Sequence, residues 1–164
     1  MKTNFFKKPT IILVDDHLIF RQGLKSLITT ENLGKIIGEA ADGTEFLKLL
    51  ELPAPDLVVM DIDMPKMNGM EATEKALKLR PNLKIIVFSM FGDEEYLKKM
   101  KALGVKGFII KSSGISEVEQ AIVDVMNGKT YFSKFLPKAS AEKSNLKSSN
   151  AEPGAKPNSP IPWW

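Results

Sequence analysis

The 164 residues are 43% apolar and 26% charged, which suits one globular domain with a modest remainder, and no apolar run reaches the about 18–20 residues that a membrane-crossing helix needs. Cysteine is absent, which excludes disulfides, thiolate nucleophiles and cysteine-ligated metals. The net charge of +3 sits late in the chain: from Lys134 onward five lysines face two glutamates, leaving 18 basic and 18 acidic residues in the first 133, so the basic balance is not a nucleic-acid signature.

Residues 1–8 are basic but lead into no long apolar segment, so they read as an N-terminal extension without a signal peptide, and a cytoplasmic protein is expected. The first strand is predicted over Thr10–Val14, and Phe20, Leu24, Leu27 and Ile28 then share one helical face. A second strand covers Lys35–Glu39, and the pair Asp42 and Glu45 has the spacing of a capping box that opens a helix. The third strand is Asp56–Met60 and the fourth Lys84–Phe88. Tyr96, Met100 and Leu103 define a helix stopped by Gly104, followed by the fifth strand, Gly107–Ile110. Ser116 and Glu119 form a second capping box for a helix carrying Ile115, Val118, Ile122 and Val125 and stopped by Gly128.

The strand runs are β-branched and nearly continuous, as expected of strands buried on both faces of a parallel sheet. Five strands alternating with five helices give an α/β fold with a doubly wound parallel sheet between two helical layers. After Phe132 the character changes. Ser133–Trp164 holds five of the ten prolines and both tryptophans without a sustained period, and reads as a flexible tail. Within it, Ile161-Pro162-Trp163-Trp164 is either a simple disordered end or an extended segment able to dock in a groove.

The residues that close each strand carry the chemistry. Asp15 and Asp16 follow the first run, Asp61 the third, Ser89 the fourth and Lys111 the fifth. Ligands of open α/β sheets bind at the carboxyl ends of the strands, so four of five strands deliver a polar group to the ligand-binding edge. Three carboxylates placed together repel, and either take up protons or share a cation; an all-oxygen donor set suits a hard ion such as Mg²⁺. A metal-neutralised carboxylate can act as nucleophile toward a phosphoryl group, with Lys111 and Ser89 as partners of the product.

Each residue also has a plainer reading. Asp15 and Asp16 could complement a helix dipole, Ser89 could cap a strand end, and Phe108 could simply fill the core. His17, the single histidine, is expected as a solvated or helix-capping residue; without a second histidine or any cysteine, zinc is not expected. Pro65 and Gly69 are expected to shape the loop after Asp61, and the methionines 60, 64, 67 and 70 to pack.

The set Val14-Asp15-Asp16-His17, Met60-Asp61 with Asp63, Pro65 and Gly69, then Ser89, then Phe108 and Lys111, resembles the receiver domain of two-component response regulators. The spacing of 28 residues from Asp61 to Ser89 and 50 from Asp61 to Lys111 fits. The Arg21, Gly23, Leu24 phrase and the Gly128–Phe132 phrase are similar to the NarL/FixJ subfamily. The resemblance covers residues 9–132 and implies a flavodoxin-like sheet in the order 2-1-3-4-5. It further implies Asp61 as phospho-acceptor, Asp15, Asp16, Asp61 and the Asp63 backbone carbonyl as Mg²⁺ ligands, and Ser89 and Lys111 as readers of the phosphoryl group. Phe108 corresponds to an aromatic switch that turns inward with the Ser89 shift. The implied partners are a sensor histidine kinase and a second copy of the chain, with the surface of the fourth helix, fifth strand and fifth helix as readout. No enzyme activity beyond self-phosphorylation and slow self-dephosphorylation is implied.

Members of that subfamily usually continue into a helix-turn-helix domain, whereas residues 133–164 are too few and too polar for one; DNA binding is not expected of these residues, and a truncated DNA-binding regulator stands as the alternative. The Asp61-x-Asp63 pair also resembles the nucleophile motif of haloacid-dehalogenase phosphatases. Here, however, it follows the third strand rather than the first, continues into Met64-Pro65, and leaves no room for a cap domain.

Overall fold

The computed structural model describes residues 7–134, so the tail read over 133–164, with its Ile161–Trp164 segment, and the extension read over 1–8 lie largely outside the described residues. The strands are β1 (Thr10–Val14), β2 (Lys35–Ala40), β3 (Leu57–Asp61), β4 (Lys84–Ser89), β5 (Gly107–Ile110) and β6 (Tyr131–Phe132). Between them lie α1 (Leu18–Thr30), α2 (Gly43–Leu49), α3 (Gly69–Leu79), α4 (Glu94–Leu103) and α5 (Ile115–Met126). The sheet is parallel throughout, in the order β2-β1-β3-β4-β5-β6. This is the flavodoxin-like arrangement expected, with one strand more. The two residues of β6 escape a period-based reading because they are too few to show alternation; they pair with Gly107 and Phe108 and cover part of an otherwise open β5 edge.

Successive strand side chains point to opposite faces, and the chain exploits this strictly. Ile12, Val14, Val58, Met60, Ile85, Val87 and Phe108 pack with Phe46, Ala72, Ala76 and Met100 on one face. Ile11, Leu13, Leu57, Val59, Ile86, Phe88 and Ile109 pack with Leu24, Ile28, Val118 and Ile122 on the other. Thus α2, α3 and α4 form one layer and α1 with α5 the second. Burial of both faces makes the central runs apolar at every position rather than every other one.

Local signals place most helix ends. Asp42 caps α2, accepting from the N–H groups of Thr44 and Glu45 at 2.8 and 3.0 Å, while Glu45 reaches back to the Ala41 N–H at 2.8 Å. Gly104 ends α4 in the left-handed region at φ 99°. The expected capping box at Ser116 does not form: α5 starts at Ile115 with Gly114 at its N-cap, so Ser116 already lies inside the first turn. Two amphipathic assignments also thin out at helix starts, where Ile115 is 64% and Tyr96 39% exposed.

Candidate functional site

Parallel pairing aligns the carboxyl ends of β1, β3, β4 and β5 along one edge. Asp61 is the last residue of β3 and Ser89 of β4, so both are held by sheet hydrogen bonding; Asp15 and Lys111 lie one residue past their strands and keep ladder-like bonds to the Ala40 and Ser89 carbonyls at 3.0 and 2.7 Å. The turn after Asp61 is tight. Lys66 adopts φ 64°, and a Cβ on Gly69 would fall 1.8 Å from the Asp61 carbonyl oxygen, so only glycine lets α3 begin beside the strand end. Pro65 and Gly69 are the residues expected to shape this loop; its left-handed residue is Lys66.

The structure brings Asp15, Asp16, His17 and Asp61 together, with one ligand atom of each within 4.8 Å of the others. Asp15 and Asp61 are buried, whereas Asp16 and His17 face solvent. The side chain of Lys111, only 5% exposed, enters the same hollow. Its Nζ donates to Asp15 Oδ2 at 2.7 Å and lies 3.3 Å from Asp61 Oδ1. Asp61 Oδ2 is buried and has no hydrogen-bond partner. Burial, reinforced by the neighbouring Asp15 charge, pushes the Asp61 carboxyl up to about 6, against the opposing pull of Lys111. An orphaned carboxylate oxygen beside two further acids and one ammonium fits a hard divalent cation at an all-oxygen site.

Other predicted residues take positions the sequence did not give. Ser89 is buried at the edge, but its hydroxyl donates to the Phe91 carbonyl at 2.8 Å and accepts from the Phe91 N–H at 3.3 Å, so it faces the β4–α4 loop. Phe108 is fully buried in the α2–α3–α4 layer. In this structure the ring lies on the inner side, in contact with the core. Asp63 is exposed two residues beyond Asp61. His17 supplies the N-cap position of α1, and its ring, 63% exposed, lies 3.4 and 3.2 Å from the carboxylates of Asp15 and Asp16.

Two supports have no role assigned from sequence. Arg21 donates to the Asp15 carbonyl, and its Nε sits 3.4 Å from Glu39 on β2. The ring of Phe20 lies under Lys111, with the ammonium 4.4 Å from its centroid, and stacks edge-on with Phe88 at 5.9 Å. Both come from the first turn of α1. Their signal was present as helical spacing after the acid pair, but spacing alone does not say which side chain crosses to which strand.

A family model described as the response regulator receiver domain matches residues 11–123. The transcriptional regulatory protein DegU of Brevibacillus brevis is 33% identical over 124 residues, covering 76% of this chain and 52% of that relative. The oxygen regulatory protein NreC of Staphylococcus epidermidis is 37% identical over 123 residues, covering 74% and 56%. The chain thus spans about half the length of these curated relatives. Among solved structures, a LuxR-family two-component response regulator from Aurantimonas superposes with a TM-score of 0.73 at 34% identity, covering 76% of this chain and 89% of that one. A chain of the CheX-CheY-BeF3-Mg complex from Borrelia burgdorferi gives 0.67 at 31% identity, covering 71% and 87%. With its sheet order, its acidic strand-end hollow and these matches, the chain belongs to the response regulator receiver domain family.

Proposed function

We propose that residues 9–132 form a phosphoryl-accepting signalling switch in which Asp61 takes a phosphoryl group from a phosphohistidine on a sensor histidine kinase. The observation that carries this reading is the buried Asp61 carboxylate, gathered with Asp15, Asp16 and the Lys111 ammonium and keeping an unpartnered Oδ2. That oxygen attacks the phosphorus as the phosphorus–nitrogen bond of the donor breaks. Asp15, Asp16 and the backbone carbonyl of Asp63 would hold Mg²⁺ together with Asp61; when bound, the ion supplies charge neutralisation to the attacking carboxylate and the phosphoryl oxygens. The name of the Borrelia burgdorferi complex, which pairs BeF3 with Mg in a similar fold, supports the same choice of ion.

The product adds a charge of about −1.5 to −2 at position 61. Lys111, pinned mainly to Asp15 in this state, shifts toward the phosphoryl oxygens, and the Ser89 hydroxyl exchanges the Phe91 carbonyl for one of them. The β4–α4 loop loses its anchor and the α4–β5–α5 surface changes, which biases an existing equilibrium toward homodimerisation or partner docking. Phe108 remains a packing element of that surface, following the strand and not leading it. The protein works in the cytoplasm, labels itself, and has no external substrate to turn over.

The test is the intact mass of the protein after acetyl phosphate with and without Mg²⁺. One phosphoryl group per chain is expected with the ion and none for Asp61→Asn. Continuous phosphate release without stoichiometric labelling would support a phosphatase instead. A second reading, that these residues are the receiver part of a DNA-binding transcriptional regulator, is favoured by the names and lengths of the curated relatives. Residues 9–132 supply no recognition helix of their own.

A further inference from the structure

A groove of about 370 Å³ runs between α1 and α5, with Phe20, Leu27 and Phe88 along it and Ile115 and Val118 on the α5 side. Its rim is apolar and open. Ile19 is 89% and Ile115 64% exposed, and a Cβ built on Gly23 meets nothing within 4 Å. Exposed aliphatic side chains clustered around a concave apolar floor mark a docking surface more than scattered single exposures do.

We propose that the occupant is the chain's own segment Ile161–Trp164. Three observations point to it. The described chain leaves from the right place: Ser133 is fastened to α5, its hydroxyl donating to Glu117 Oε1 at 2.6 Å, one residue from Val118 and two from Ile115. The reach suffices, because thirty residues follow Lys134 and the random-coil distance for that many residues is about 30 Å, against the about 10 Å needed to round a helix. The chemistry matches, because the segment ends in two tryptophans beside isoleucine and proline, and large aromatic side chains are the usual anchors of apolar pockets. Charge assists: the five lysines from Lys134 onward are drawn to the acidic edge at Asp16 and Asp63, which is contiguous with the groove at Lys111.

Tethering makes weak docking effective. A segment joined to its groove by a linker of about thirty residues meets it at up to about millimolar effective concentration, so modest intrinsic affinity keeps it seated. Seated there, it covers Ile19, Phe20 and Ile115 beside the phosphoryl-acceptor hollow and competes with any partner for that face. The docking itself does not rest on the phosphoryl-acceptor reading.

Trp163 and Trp164 are the only tryptophans, so the emission of the full chain reports this segment alone. Docking gives emission shifted to the blue, with slower acrylamide quenching, relative to a free peptide of residues 150–164. The shift is expected to be lost in Gly23→Glu, which fills the groove where a side chain has room, and in Ile115→Asp, and to persist in Gly23→Ala; circular dichroism verifies that each variant is folded. Emission like the peptide's in the unaltered chain overturns the proposal, as does a shift that survives both blocking substitutions. A shift that fades on dilution also overturns it, by placing the segment on a neighbouring molecule.

Discussion

Lys111 reaches across the strand ends to Asp15, with Nζ 2.7 Å from Oδ2, and stands farther, 3.3 Å, from the Asp61 oxygen. Both members of the closer pair are nearly excluded from solvent, so the ammonium compensates a buried charge while Asp61 remains only partly served. Removing one partner of a buried pair leaves the other uncompensated. Lys111→Met is therefore expected to lower unfolding free energy at neutral pH by about 3 kcal/mol, read from urea unfolding, and Asp15→Asn in the same chain to restore part of the loss.

Asp61 sets a pH dependence of its own. Its folded pKa, about 6, lies above the ordinary 3.8, so the folded state holds the proton more tightly than the unfolded chain. The stability from this group is complete below about pH 4, is lost as pH rises to about 6, and stays lost above that. Asp61→Asn, which removes the charge and keeps the shape, is expected to stabilise the metal-free protein near pH 7 by up to about 3 kcal/mol and to change little near pH 4. Denaturant titrations at the two pH values check this.

Divalent cation answers the same excess of negative charge. At ten times its Kd, Mg²⁺ is expected to add about 1.4 kcal/mol of stability, visible as a raised Tm. Asp16→Ala removes an exposed carboxylate proposed as a ligand without opening the core, so it should abolish the Mg²⁺ response while leaving metal-free stability within about 0.5 kcal/mol.

Ser89 tethers the β4–α4 loop through two hydrogen bonds with Phe91. Ser89→Ala is expected to cost about 1 kcal/mol and to speed amide exchange at Phe91. The same substitution should make exchange in α4 insensitive to beryllofluoride with Mg²⁺. Unchanged sensitivity would show that the hydroxyl does not carry the signal. Phe108→Ala is a poor probe of switching, because emptying a fully buried position costs about 3–5 kcal/mol in packing alone.

Strand positions were legible because burial on both faces forces continuous β-branched runs such as Ile11–Val14 and Leu57–Met60. The site was legible for a topological reason: parallel strands expose their carboxyl ends on one edge, so Asp15, Asp61 and Lys111 had to come near one another. Side-chain direction was not legible. That Ser89 turns to Phe91, that Lys111 leans on Asp15, and that Phe108 is already inside depend on rotamers chosen in three dimensions. Phe20 and Arg21 were missed as supports because their partners, Lys111, the Asp15 carbonyl and Glu39, belong to other elements of the fold. The strand β6 and the Gly114 cap were missed because neither two strand residues nor one glycine carries a period.

The most direct measurement is to trap the acyl phosphate by borohydride reduction after acetyl phosphate and Mg²⁺ treatment, then to locate the reduced residue by peptide mapping. Modification confined to Asp61 is expected. Modification at Asp15, Asp16, His17 or Asp63, or none at all in a protein that is folded and binds Mg²⁺, would contradict the assignment of Asp61 as the phosphoryl acceptor.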